Sequence, residues 1–349
     1  MRIRSITLAI ISLLAVVISI SVFIVSASYN NNANEVHISS MHNNIKDSKI
    51  DPDRFLTNFD YGKVSILDDG IVLREFTITV EDVLLEIAPG IYFNAWTYNG
   101  TIPGPTLRAT EGDRVRVTFI NNGSHPHTIH FHGKHPATMD GVQPLVPPNG
   151  VFVYEFTAAP AGLHLYHCHV DPIAEHINRG LYGVFIVDPK TPREPAREMV
   201  MVLNSYDTDF DKENNFYTVN GIPFYYVNNP IEIKKGELVR IYLVNMTEFD
   251  PINNFHLHGD LFKLYRTGTS LTPHEITDMV TLSQGERAIL EFKYDYPGLY
   301  MFHAHVIEFS NKGWMGFFKV VEDDTLVDDG IDSSVNDKNN DKKDDDKRT

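Results

Sequence analysis

Four pairs of histidines spaced two apart, His130/His132, His167/His169, His256/His258 and His303/His305, stand at matched positions in the two halves of this 349-residue chain. The one cysteine, Cys168, sits inside the second pair. Side chains two apart on a β-strand share a face, so each pair can present two imidazoles to one site. Imidazole ligates copper, zinc, iron and nickel alike. Four pairs in matched positions set these residues apart from scattered surface histidines. Strand geometry points the sulfur of Cys168 to the face opposite His167 and His169, so one peptide segment touches two sites.

His127 precedes His130 by three residues and has the parity of Cys168, which directs it inward with the sulfur if the strand stays regular. His176, eight residues past the cysteine, can complete a His₂Cys set by a loop return. A trigonal His₂Cys site with a weak axial neighbour is the blue-copper arrangement, suited to rapid one-electron exchange. Leu181 stands where an axial methionine is expected. Without a thioether donor the centre is more oxidising, although plain core packing also suits this leucine.

The elements that must carry these residues are short β-type runs separated by turn signals: Val72 to Val80, Arg114 to Asn121, Val151 to Phe156, Tyr182 to Val187, Val239 to Asn245, Ala288 to Phe292 and Phe317 to Val321. No helix of three turns stands out, and the spacing indicates antiparallel sandwiches. An internal repeat divides the body. Gly112-Asp113 followed by RVRVTFINN and HFHG is answered by Gly236-Glu237 followed by VRIYLVN and HLHG. AAPAGLHLYHCHV is likewise answered by YDYPGLYMFHAHV. The expected organisation is one β-sandwich over 71–190 and a second over 195–322, joined near Pro189 to Pro195. A polar spacer over 28–70 precedes them and a disordered acidic tail over 323–349 follows.

The formal net charge of −16 argues against a nucleic-acid partner, because phosphate binding needs clustered Lys and Arg and none appears in the body of the chain. Residues 1–27 open with Arg2 and Arg4 and continue as a long uncharged apolar run, which marks an exported chain. That run suits a cleaved signal peptide, released with secretion, or a retained membrane anchor; both readings stand. With one cysteine, intramolecular disulfides are impossible and stability must come from packing.

HTIHFHG, HLYHCHVDPIAEHINRGLYG, FHLHG and FHAHV resemble the four copper-binding segments of multicopper oxidases, in particular the two-domain, laccase-like branch with its blue copper in the first domain. The resemblance spans about residues 72–322 and implies an all-β fold of two cupredoxin-like Greek-key sandwiches. It implies that His127, Cys168 and His176 bind a type 1 copper, with Leu181 axial and non-coordinating. It places His130 and His256 on a type 2 copper, and His132, His167, His169, His258, His303 and His305 on a type 3 pair. Four coppers can store the four electrons that reduce O₂ to water. The second domain has no cysteine, and Asn253 stands at the position of His127, so that domain has no type 1 site. The resemblance further implies a homotrimer with the cluster shared between subunits, which spacing alone does not distinguish from an intrachain cluster. Asp140 and Asp171 resemble the family's proton-donating acids, and Glu308 is a further candidate. Turn or surface roles suit the three carboxylates equally.

A copper nitrite reductase is the nearest rival, similar in its two domains, its blue copper and its trimer. His130, His169 and His256 have no equivalents in that arrangement, which leaves imidazoles unexplained. A non-enzymatic electron carrier needs only the blue site. The electron donor is open between a phenol, an aromatic amine, a reduced metal ion and a small redox protein. His125, His135, His164 and His274 are expected in ordinary surface or supporting roles, and the sequons at Asn122 and Asn245 permit glycosylation.

Overall fold

The computed structural model describes residues 46–48 and 50–322. Two β-sandwiches account for almost all of it, and the repeat boundaries fall between them. In the first, the long strand Val72–Ala88 pairs in parallel with Arg114–Asn121 and antiparallel with Ile91–Tyr98. The facing sheet runs Phe59–Asp60, Thr106–Thr110, Tyr182–Asp188, Gly162–His167, His130–Phe131. Strict alternation builds the core between them. Val115, Val117 and Phe119 are fully buried, while Arg114 and Arg116 point outward to Glu155.

The second sandwich repeats the plan. One sheet is centred on Arg197–Tyr206, Val239–Asn245 and Arg287–Phe292, and the other on Met315–Val321, Gly298–His303 and Ile252–Leu257. The fold is thus the all-β, cupredoxin-like pair of sandwiches expected.

A third core joins them. Leu163, Leu165, Val184 and Ile186 on the outer face of the first sandwich pack on Val200, Val202, Tyr242 and Val244 of the second. The rim is polar: Arg108 bonds Asp188 at 2.7 Å and Glu198 at 2.6 Å, and Arg240 bonds Glu291 at 2.6 Å.

Residues 50–66 depart from the expected spacer. Pro52–Thr57 is a helix, N-capped by Asp51, that buries Leu56 in the second core. Tyr226 donates to the Pro52 carbonyl at 3.0 Å. The chain then crosses to the first domain, where Phe59–Asp60 pairs with Thr106–Leu107. Isolated apolar residues without periodicity gave no signal along the chain; they find their partners only on the surface of the second domain. The N-terminal run, the spacer before residue 46 and the acidic tail lie outside the described residues. No described helix is long and apolar enough to cross a membrane.

Candidate metal centres

Strand alternation divides the ligand candidates between two faces. On Gly162–His167, Leu163 and Leu165 face the second domain while Tyr166 turns into the first core, and the pattern carries on to Cys168 beside Tyr166. His127 enters that core from the segment ahead of His130, and His176 returns to it on the short helix Ile173–Asn178. The Cys168 Sγ lies 3.3 Å from His176 Nδ1 and 3.8 Å from His127 Nδ1, and the two Nδ1 atoms are 3.2 Å apart. Leu181 is fully buried in the same core, and its carbonyl accepts the Cys168 N–H at 3.0 Å. Burial pushes the Cys168 thiol up and drives His127 down to about 3 and His176 to about 4. A set that keeps imidazoles neutral and gathers them on a buried sulfur, whose other hydrogen bond is a long one from the Thr128 N–H at 3.5 Å, fits a soft-ligated metal.

On the opposite face the four histidines of the first domain's two His-x-His pairs cluster. His130 and His167 are directly opposed across adjacent strands. His132 Nε2 and His167 Nε2 converge to 3.2 Å, and His169 packs against His130 at 5.2 Å between ring centroids. Desolvation followed by mutual repulsion drives His132 to about 3; burial drives His167 to about 4. The Nδ1 atoms of His130 and His167 are occupied by the carbonyls of Asp140 (2.7 Å) and Cys168 (2.9 Å), which leaves Nε2 as the ligand atom.

The second domain reproduces this quartet. His256 opposes His303 in register, and His258 Nε2 and His303 Nε2 converge to 3.0 Å. The carbonyls of Asp278 and Ala304 hold the Nδ1 atoms of His256 and His303. This quartet is open to solvent, and an adjoining recess of about 450 Å³ is lined by His256, His258, Asp260, Leu261 and Asp278. Among the described residues no ring contact joins one quartet to the other.

A multicopper oxidase family model matches residues 80–192, and a second matches 193–324. The chain belongs to the multicopper oxidase family. A solved multicopper oxidase is 56% identical, with a TM-score of 0.77, covering 78% of this chain and 97% of that one. The copper-containing nitrite reductase of Neisseria meningitidis serogroup B is 31% identical over 70% of this chain and 66% of its own length. The copper nitrite reductase of Nitrosomonas europaea superposes with a TM-score of 0.66 at 27% identity, covering 71% of this chain and 94% of that one. The protein is a copper-dependent oxidoreductase of this family, with relatives on both the oxidase and the nitrite reductase side.

Within this multicopper oxidase chain the acidic candidates separate. Asp140 lies at the first quartet, with its Oδ1 3.3 Å from His130 Nδ1 and 3.8 Å from His135 Nε2. Asp171 is exposed. Glu308 is taken up by Lys312 at 2.8 Å. His135 also bonds the Phe131 carbonyl at 2.9 Å, and His164 is buried against the Pro160 carbonyl at 2.8 Å. His274 is exposed. Asn245 is fully buried and donates to Leu282 and Ser283, so it offers no glycosylation site, whereas Asn122 is exposed.

Two positioning residues escaped the sequence reading. The Thr128 hydroxyl accepts the His169 N–H at 3.3 Å, and Asn254 Oδ1 accepts the His305 N–H at 2.6 Å. They occupy the same repeat position, two residues before His130 and His256, so aligning the halves residue by residue is the signal that could have found them.

Proposed function

We propose that this protein is a laccase-like oxidase that takes single electrons at His127, Cys168 and His176 and delivers them to O₂ at a cluster held by the two histidine quartets. The carrying observation is the pair of convergent nitrogens in each domain, His132/His167 and His258/His303. Each pair supplies two donors to one metal and lacks a third. His305 and His169 are the corresponding spare imidazoles on the other quartet, and His130 and His256 supply one donor each for a further ion. Eight imidazoles divide in this way over three metals.

Bound copper supplies one-electron storage at each of four sites, which matches the four electrons that convert O₂ to water. The protein's own part is to orient and to insulate. Carbonyls hold the far ring nitrogens, Thr128 and Asn254 fix the backbone of the outer histidines, and Cys168 links the two faces of one segment. Asp140, beside His130, is the carboxylate best placed to pass protons to reduced oxygen.

The quartets share no ring contact inside one chain, and the second is solvent-facing beside exposed Leu261 and Met279. A homotrimer, in which the first domain of one subunit covers the second domain of the next, completes the cluster and buries that surface. The exported location proposed for the chain suits an assembly stabilised by packing in place of disulfides.

Nitrite is the competing acceptor, favoured by the nitrite reductases among the relatives. Anaerobic reduction followed by parallel exposure to O₂ and to nitrite tests the reading. O₂ is expected to restore the blue thiolate absorption, and four coppers per chain are expected. Restoration by nitrite alone, with two coppers per chain, overturns it.

A further inference from the structure

None of the donor groups of the His₂Cys site reaches solvent: Cys168 and His127 are fully buried, and His176 is 4% exposed. One indole, itself 9% exposed, packs over both imidazoles. Trp96 stands edge-on to His127, with ring centroids 5.2 Å apart, and to His176 at 4.8 Å. The exposed ring of His125 lies 4.7 Å from Trp96 at 40°. The Arg179 guanidinium lies over the indole at 4.9 Å and is capped at 4.1 Å by Phe210 from the second domain. Ser124 fixes His125 through a 2.7 Å contact to its Nδ1, which leaves Nε2 outward.

We propose that the His125–Trp96 ring pair is the electron port, and that it selects flat aromatic amines as donors. This rests on the reading of His127, Cys168 and His176 as the electron-collecting set and holds whichever acceptor is used. Three observations support it. Buried ligands exclude a donor ion that must bind the metal set directly. The exposed His125 ring offers a π-face to a planar donor, and its tilted contact with Trp96 gives a short through-ring route to both imidazoles. The surroundings are acidic: Asp82 accepts the Ser124 N–H at 3.1 Å, Glu175 lies 3.5 Å from Arg179, and Asp207, Asp209 and Asp211 flank Phe210. With a chain charge of −16, that rim favours neutral or cationic amines over anionic donors. One electron leaves the amine, which becomes its radical cation, and reaches the cupric centre, which becomes cuprous. No bond forms or breaks.

Anaerobic mixing of the copper-loaded chain with N,N-dimethyl-p-phenylenediamine, or with hexacyanoferrate(II), reads the port through bleaching of the blue absorption. In Trp96→Leu and His125→Ala the ratio of the amine rate to the hexacyanoferrate rate is expected to fall roughly tenfold, with substantial recovery in Trp96→Phe. An unchanged ratio in His125→Ala, the surface variant least able to disturb folding, overturns the proposal. A second measurement needs no metal. Methyl viologen, a flat dication, is expected to quench the fluorescence of the copper-free chain saturably through Trp96, over a constant background from fully buried Trp314. Quenching that never saturates overturns the port. Absence of the blue absorption from the unsubstituted loaded chain sinks the reading of the copper set instead, so the two failures are distinct.

Discussion

The Trp314 indole donates to Asn253 Oδ1 at 3.0 Å in the interior of the second domain, at the place where the first domain brings Leu181 toward His127. Backbone bonds make the equivalence concrete: Cys168 bonds the Leu181 carbonyl as Ala304 bonds that of Trp314, and Leu181 bonds His176 as Trp314 bonds Phe309. The second domain therefore fills the position equivalent to the His₂Cys set with an indole and an amide. Trp314→Leu is expected to cost about 3 kcal/mol through the cavity and the lost bond. Blue absorption per chain should stay unchanged, because the His₂Cys site lies in a separate core. Denaturant melts with visible spectra check both; a fall in blue intensity would show the two cores to be coupled.

Acid should destabilise the copper-free protein in a defined window. Burial holds His127 and His132 at about 3 and His167 and His176 at about 4, against 6.5 for the free side chain. Below about 6.5 the unfolded chain binds more protons than the folded one, so stability falls as pH drops and levels off once the folded imidazoles protonate near 3 to 4. Bound copper competes with those protons and moves the loss to lower pH. Melting temperatures at pH 7 and pH 5, with and without copper, provide the check. Equal copper-free values would contradict the burial account.

Subunit mixing reads the assembly. His132→Ala damages one half of the proposed cluster and His258→Ala the other, so each variant alone should lose oxygen reduction. Co-refolded at equal ratio, about one site in four pairs an intact first domain with an intact second domain from its neighbour, and activity returns to roughly that fraction. An intrachain cluster gives no recovery.

Asp140→Asn should slow oxygen reduction by about 10²-fold or more while leaving anaerobic bleaching of the blue band unaffected, because the carboxylate sits at His130 and away from Cys168. Asp171→Asn serves as the exposed comparison. Stopped-flow reoxidation of the reduced enzyme separates them, and equal effects would remove Asp140 from proton delivery.

Much of this protein was legible along the chain because ligands are written in short range. His-x-His on a strand fixes a shared face, Cys168 between two histidines fixes an opposed one, and the repeat of HFHG in HLHG fixes two sandwiches. Asn253 in place of His127, with no second cysteine, already denied the second domain a His₂Cys set. Tertiary structure alone decided what long-range packing controls. Trp96 is an unremarked strand residue in sequence, and only the return of His176 on its helix makes it the cover of the site. Phe210 reaches Arg179 from the other domain. Leu56 and Phe59 lie in a polar stretch whose few apolar side chains acquire meaning against surfaces built more than a hundred residues later. Periodicity records which face of a strand is buried; it does not record which other element buries it.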